Sequence, residues 1–228
     1  MPLFLWDWTL ILLVPALLLT IFAQFRVSST FNRYKEIPSA RGLTGAQGAR
    51  MLLDASGLGH VGIQVEGGRL SDHYDPRTKT LSLSPEVAQS NSLAALGVAA
   101  HEAGHALQDA EKYAFLRARS FMVQGAALGS NLGFFLFFLG LVFGRNEFMM
   151  NIGIVLFSVF VLFTLVTLPV EFNASRRALA GLESHGILLT DEIGGARAVL
   201  NAAALTYVAA ALMALLNLLR LVLISRNR

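Results

Sequence analysis

Apolar and polar positions are unevenly distributed along the chain. Four stretches carry no charged residue. They lie between Asp7 and Arg26, Arg119 and Arg145, Glu147 and Glu171, and Arg197 and Arg220. Each is close in length to a helix that spans a bilayer, which needs about 20 mostly apolar residues. One such stretch could be the core helix of a soluble protein. Four in 228 residues leave too little polar surface to cover them. The pattern predicts a mainly α, polytopic membrane protein with about four transmembrane helices. The first stretch lacks the basic segment that opens a signal peptide. Trp6, Asp7 and Trp8 stand there instead, and paired Trp suits a membrane interface. It reads as a retained helix.

Between the apolar stretches the periodicity changes. Thr44 can cap a short helix through Asp54 that Gly57 closes. His60–Glu66 alternates, with Val61, Ile63 and Val65 on one face, and reads as a strand. Gly67-Gly68 and Asp75-Pro76 are turn signals. Lys79–Ser84 alternates again, with Leu81 and Leu83 together, so a small sheet or hairpin is expected. Ser92 can cap a helix from Leu93 to about Glu111. Residues 37–48, rich in Pro, Ser, Gly and Ala, have linker character. The expected organisation is transmembrane helix 1 over 1–25 and a polar segment with a small sheet and the Leu93–Glu111 helix over 26–119. A hairpin of helices 2 and 3 follows over 120–170, then a return segment over 171–197, and helix 4 with the tail over 198–228. The two polar segments together predict one small α+β domain at the membrane surface.

Composition sharpens this picture. Hydrophobic residues make up 54% of the chain and charged ones 14%, with a mean hydropathy of +0.57. Soluble domains carry about 25% charge. The deficit argues against a free-standing cytosolic domain, and disorder, which needs low hydrophobicity, is excluded. The net charge of +3 is too small to suggest nucleic acid. No cysteine is present, so disulfides, thiol catalysis and Cys-based zinc sites are excluded. Eleven of the 18 Lys and Arg residues fall in 26–119 and three in 171–197; the remaining four are Arg145 and the tail's Arg220, Arg226 and Arg228. The positive-inside rule places the two polar segments in the cytoplasm and both termini outside, and the expected location is a bacterial-type inner or plasma membrane. The basic tail counts mildly against it.

The chemistry sits in the Leu93–Glu111 helix, which contains His101-Glu102-Ala103-Gly104-His105. His101 and His105 are four residues apart, so both rings leave one helix face. Two imidazoles so placed can take two corners of a zinc tetrahedron. Glu102 is placed to take the proton of a zinc-bound water. Catalytic zinc wants a third protein ligand. His60, His73, His185 and a carboxylate are candidates, and Glu171 is the best of them. A carboxylate at the exit of an apolar helix needs a partner, and a metal supplies one. The alternative is a Glu at a helix N-terminus opened by Pro169, where the helix dipole favours an acid.

The stretches VAAHEAGHALQ (98–108), SDHYDPRTKTLSLS (71–84) and PVEFNASRRAL (169–179), with the span order and AALTYVAAA (203–211), resemble the YugP-type membrane zinc metallopeptidases, or neutral zinc metallopeptidase family 2. The resemblance covers essentially the whole chain and implies that 26–119 is a zincin-like segment, part of a small α+β zincin-like domain at the cytoplasmic face. It implies one Zn2+ per chain held by His101, His105 and Glu171, with Glu102 as general base. The pattern is more distantly similar to HtpX-like and CAAX-prenyl-type membrane gluzincins. In those, an Asp four residues after the acidic ligand orients a histidine. Here that position is Ser175, so a hydroxyl or Asn173 is the expected substitute.

The implied reaction is peptide hydrolysis by zinc-activated water. It needs a donor for the oxyanion; His73, Tyr74, His185, Arg176 and Tyr207 are candidates. The strand Lys79–Ser84 is expected to offer an edge to an extended substrate. Tyr113, Phe115 and Leu116, interleaved with Lys112, Arg117 and Arg119, suit an interfacial segment. The partners implied are the lipid bilayer and a peptide or membrane-protein substrate, with no nucleic acid and no oligomeric state specified. A non-catalytic zinc-bound scaffold is the alternative; an intact Glu102 argues against it. A transporter would put ionisable residues inside the spans, which are almost free of them.

Overall fold

The structure, a computed structural model, describes residues 8–67 and 72–226. Trp6 and Asp7, Gly68 and Ser71 of the motifs above, and Arg228 of the tail lie outside the described residues. A 3-10 turn, Trp8–Leu13, leads into α1 (Val14–Tyr34). Then come α2 (Gly45–Ala55), β1 (Gly62–Val65), β2 (His73–Asp75), β3 (Thr80–Leu83), α3 (Pro85–Gln89) and α4 (Leu93–Ala110). Three long helices complete the chain: α5 (Ala114–Val142), α6 (Glu147–Ser184) and α7 (Ile193–Arg226). The Trp8–Tyr34 segment, α5, α6 and α7 are all long and apolar enough to cross a membrane. The chain divides into two compact units.

The apolar unit holds the residues up to Ala23, Ala118–Leu168, and those from Thr206 on. Its outer surface is hydrophobic: Ile11, Phe121 and Phe148 are 70%, 89% and 73% exposed. Such a surface suits lipid and not water. Within it α5 and α6 approach closely through small residues, as membrane helices do. A Cβ on Gly133 would stand 2.9 Å from the Gly153 carbonyl. Phe137 and Phe157 fill the space beside this contact and are fully buried. Arg145 turns the hairpin in the left-handed region and donates from Nη2 to the Ile224 carbonyl at 3.1 Å. Arg220 donates from Nε to Thr9 Oγ1 at 3.2 Å.

The polar unit joins Gln24–Arg117 to Pro169–Leu205. Helix α2 begins with a capping box: Thr44 Oγ1 accepts from Gln47 N, and Gln47 Oε1 accepts from Thr44 N. It ends ahead of Gly57, whose φ of +73° needs a residue without a side chain. The core is one cluster drawn from α2, the sheet, α3, α4, α6 and α7, centred on Leu52, Leu53, Leu81, Leu83, Leu96, Leu182 and Ile187. The expected linker at 37–48 is pinned and not free: Pro38 bridges to Ser92, and Ala40 N donates to Glu192 Oε1.

The sheet corrects three expectations. Its order is β1-β3-β2, with β1 parallel and β2 antiparallel to β3. Strand β3 is therefore central, both its edges are paired, and it offers none to a substrate. Val65 is exposed although Val61 is buried, because α4 packs on β2 and β3 and leaves the outer strand β1 half covered. His60 stands in the turn before β1, exposed, and not in the strand. A fourth difference concerns α6. It does not end at the apolar stretch but runs through Pro169 to Ser184. The packing of its far end, with Ala174, Ala178 and Leu182 buried, outweighs the one backbone hydrogen bond that proline removes.

The α2 cap is open to direct test. Thr44→Ala is expected to cost about 1 kcal/mol, read as a lower thermal midpoint of the full chain in detergent, with helix content unchanged below the transition.

Candidate metal centre

Two helices build the centre, and both segments belong to the polar unit. Helix α4 starts where Ser92 Oγ accepts from Ala95 N at 3.2 Å. It is sheathed in small residues: Ala94, Ala95, Ala99, Ala100, Ala103, Gly104 and Ala106 are all buried. Such a helix can approach its neighbours closely. At Gly104 it meets Ala174 of α6, where an added Cβ would lie 2.6 Å from the Ala174 carbonyl oxygen. This contact brings His101 and His105 opposite Glu171 and Ser175, themselves one turn apart on α6.

The resulting distances are short. His101 Nε2 lies 3.2 Å from Glu171 Oε2, and His105 Nε2 lies 3.8 Å from the same oxygen. The two imidazoles stand edge to face, 4.8 Å between ring centres. One ligand atom from each of His101, His105 and Glu171 falls within 4.8 Å of the others. Glu171 is 2% exposed and His105 8% exposed. The outward ring nitrogens are held as well: His101 Nδ1 is 3.1 Å from Ser175 Oγ, and His105 Nδ1 is 3.0 Å from Gln108 Oε1.

This donor set fits a zinc ion. Two atoms about 2.05 Å from a tetrahedral zinc stand about 3.3 Å apart. The nitrogen–oxygen separations bracket that length. Three N/O ligands leave one position open, as catalytic zinc requires. Held Nδ1 atoms turn both Nε2 atoms inward, the usual support of a ligating histidine.

Burial pushes the Glu102 carboxyl above its ordinary pKa. His101 and His105 oppose this, while Glu171 and Asp72 add to it. Burial disfavours the charged form of His105, but the neighbouring carboxylates of Glu171 and Glu102 outweigh that and raise its pKa. A carboxyl with raised proton affinity beside two imidazoles is suited to carrying a proton.

The remaining sequence candidates are dispersed. Tyr74 on β2 donates its hydroxyl to Asp109 Oδ2 at 2.7 Å, and Lys79 Nζ reaches the same oxygen at 2.5 Å. Burial and Asp109 push the Tyr74 pKa up. His73 stands exposed on β2, and His185 is exposed just past the end of α6. Arg176 is exposed on α6. It lies about 140° round the helix from Glu171. Tyr207 belongs to the apolar unit. Ser175 faces a histidine directly; Asn173 does so only through Gln108, whose Nε2 donates to Asn173 Oδ1 at 2.9 Å. Gln108 is the residue that sequence reading missed. Its signal was an amide three residues after His105 on a helix otherwise lined with alanine.

Comparison with known proteins shows the family. Residues 9–226 match the family described as "Putative neutral zinc metallopeptidase". A Bacillus subtilis (strain 168) protein described as "Putative membrane protease YugP" is 44% identical over 216 residues, covering 95% of this chain and 96% of that protein. No solved structure matches the chain.

The α4–α6 contact generates a prediction. Gly104→Ala is expected to force the helix backbones apart and to destabilise the chain by about 1–3 kcal/mol. Zinc titration of the same variant should show weaker binding than wild type, because the candidate ligands sit on both helices.

Proposed function

Because this chain belongs to the family described as putative neutral zinc metallopeptidases, we propose that it is a membrane-embedded zinc metalloendopeptidase. His101, His105 and Glu171 hold the metal, one ion per chain, and Glu102 is the general base. The observation that carries this reading is the convergence of two imidazole nitrogens and one buried carboxylate oxygen beside Glu102. Zinc held there supplies Lewis acidity that activates a water and polarises the scissile carbonyl. Glu102 accepts the proton of the attacking water and delivers it to the leaving nitrogen. Gln108 holds the His105 ring and the Ser175 hydroxyl supports His101, so the ligand set is oriented before the reaction begins. In this centre HEAGH supplies two ligands and the base, and Glu171 makes it of the gluzincin type.

The charge distribution supports a cytoplasmic centre. The segments that contribute all four of these residues carry fourteen of the 18 basic side chains, the bias expected of the cytoplasmic side. Glu171 directly follows the third apolar stretch in the sequence, which favours membrane proteins and their juxtamembrane segments as substrates. The description of the B. subtilis relative as a membrane protease points the same way.

Metal analysis and peptidase assay of three purified full-length proteins test this reading. Wild type is expected to hold about one zinc per chain. Glu171→Ala is expected to lose it. Glu102→Gln is expected to keep the zinc and lose about 10²–10⁴-fold in hydrolysis of an unfolded or membrane-anchored reporter. Zinc retained in Glu171→Ala would reassign the third ligand, and full activity in Glu102→Gln would remove the proposed base.

A further inference from the structure

A row of hydrogen bonds runs from the metal centre to the surface of the polar unit. His105 Nδ1 lies 3.0 Å from Gln108 Oε1. Gln108 is fully buried and donates from Nε2 to two acceptors, the Val170 carbonyl at 2.8 Å and Asn173 Oδ1 at 2.9 Å. Asn173 Oδ1 also accepts from Arg177 Nε at 2.7 Å. Arg177 closes the row with a two-pronged pair to Glu111, at 2.6 and 2.7 Å.

The direction of each bond follows from what each group can do. A guanidinium only donates. Arg177 therefore obliges Asn173 to present its oxygen and not its amide nitrogen. That oxygen and the Val170 carbonyl occupy both N–H groups of Gln108. The Gln108 carbonyl oxygen is thereby turned to His105 and accepts a hydrogen bond from its Nδ1–H. With its hydrogen on Nδ1, the neutral imidazole has its lone pair on Nε2. That nitrogen is the one facing Glu171 Oε2. Together with the Val170 carbonyl, a residue that touches no ligand atom thus fixes which nitrogen of His105 can bind a cation. Glu111 seats the guanidinium by its planar fork, a geometry that an ammonium cannot copy.

We infer that Arg177 is a positioning residue for the metal centre, holding His105 in its Nε2-binding form through Asn173 and Gln108. This inference rests on the reading that His101, His105 and Glu171 bind zinc. It makes Arg177, about 120° round α6 from Glu171, part of the same centre. His101 depends on the Ser175 hydroxyl, which can donate or accept and specifies no tautomer. The row from Arg177 does specify one.

The test is zinc affinity by competition with a chelator, on full-length protein in detergent, beside the melting temperature of the metal-free form. Arg177→Met keeps an apolar stem and removes every donor. Its affinity is expected to fall about 10–100-fold, the range for groups that orient metal ligands. The metal-free melting temperature is expected to change little, because Glu111 is largely in water and needs no replacement partner. A purely structural role would lower both together. A double-mutant cycle adds a readout that folding does not mimic. Once Gln108→Met has cut the row, Arg177→Met should cost less than about twofold more. Multiplying losses would overturn the inference, as would an unchanged affinity in Arg177→Met alone. Asn173→Leu, which cuts the row one link inward, should reproduce the loss if Arg177→Met does not fold. Wild type that binds no zinc would overturn the metal centre and this inference with it. Wild type that binds zinc while Arg177→Met equals it would overturn this inference alone.

Discussion

A carboxylate taken out of water is the constraint on which this molecule turns. Glu171 is buried on a helix whose preceding turns are apolar. Burial of an ion costs several kcal/mol unless opposite charge or strong hydrogen bonds offset it. The offset comes from His101 and His105, and it can come only if α4 lies against α6 with nothing between the backbones. Gly104 and Ala174 meet that condition. The alanines along α4, the capping Ser92 and the Leu and Ile side chains of the core hold the two helices at that distance. The core therefore does more than stabilise a fold. It maintains a helix separation at which one buried charge can exist.

Much of this was legible in the sequence, for reasons that differ by element. The apolar stretches are long, and length plus composition needs no tertiary information. The caps at Thr44 and Ser92 are local chemistry, and both helices begin there. The HEAGH spacing places two rings on one helix face by geometry alone. What failed depended on neighbours that no local window contains. Strand β3 looks like an edge until β1 pairs on its far side. Val65 alternates correctly, but at its end of β1 it is left 54% exposed. Pro169 reads as a helix start because tertiary packing beyond it is invisible from the chain. Gln108 reads as one more polar residue until α6 supplies its two acceptors.

The two histidines also differ in how they are supported, and the difference follows from burial. Gln108 is sealed and its three bonds are all internal, so its geometry is fully specified by protein atoms. Ser175 is a rotor whose hydrogen follows whatever His101 presents. One arm of the centre is thus fixed and the other compliant. The arrangement suits a ligand set that must tolerate small changes at the metal while keeping its charge in place.

The order of these residues along the chain has a consequence for how the polar unit holds together. That unit is made of two separate lengths of sequence, and between His105 and Glu171 the chain leaves to form α5 and most of α6. The two helices that meet at the centre are thus far apart in sequence, with His101 and Glu171 separated by 70 positions. A cation gripping both closes a ring of that length, as a covalent cross-link would. In the chain-entropy description such a ring removes up to about 4 kcal/mol of freedom from the unfolded ensemble. Under the proposed function the ion would then be a clasp as well as a reagent. In a protein without cysteine, coordination at the proposed centre would fasten the two lengths of chain where a disulfide cannot, and release of the ion would leave the shared core alone to hold them.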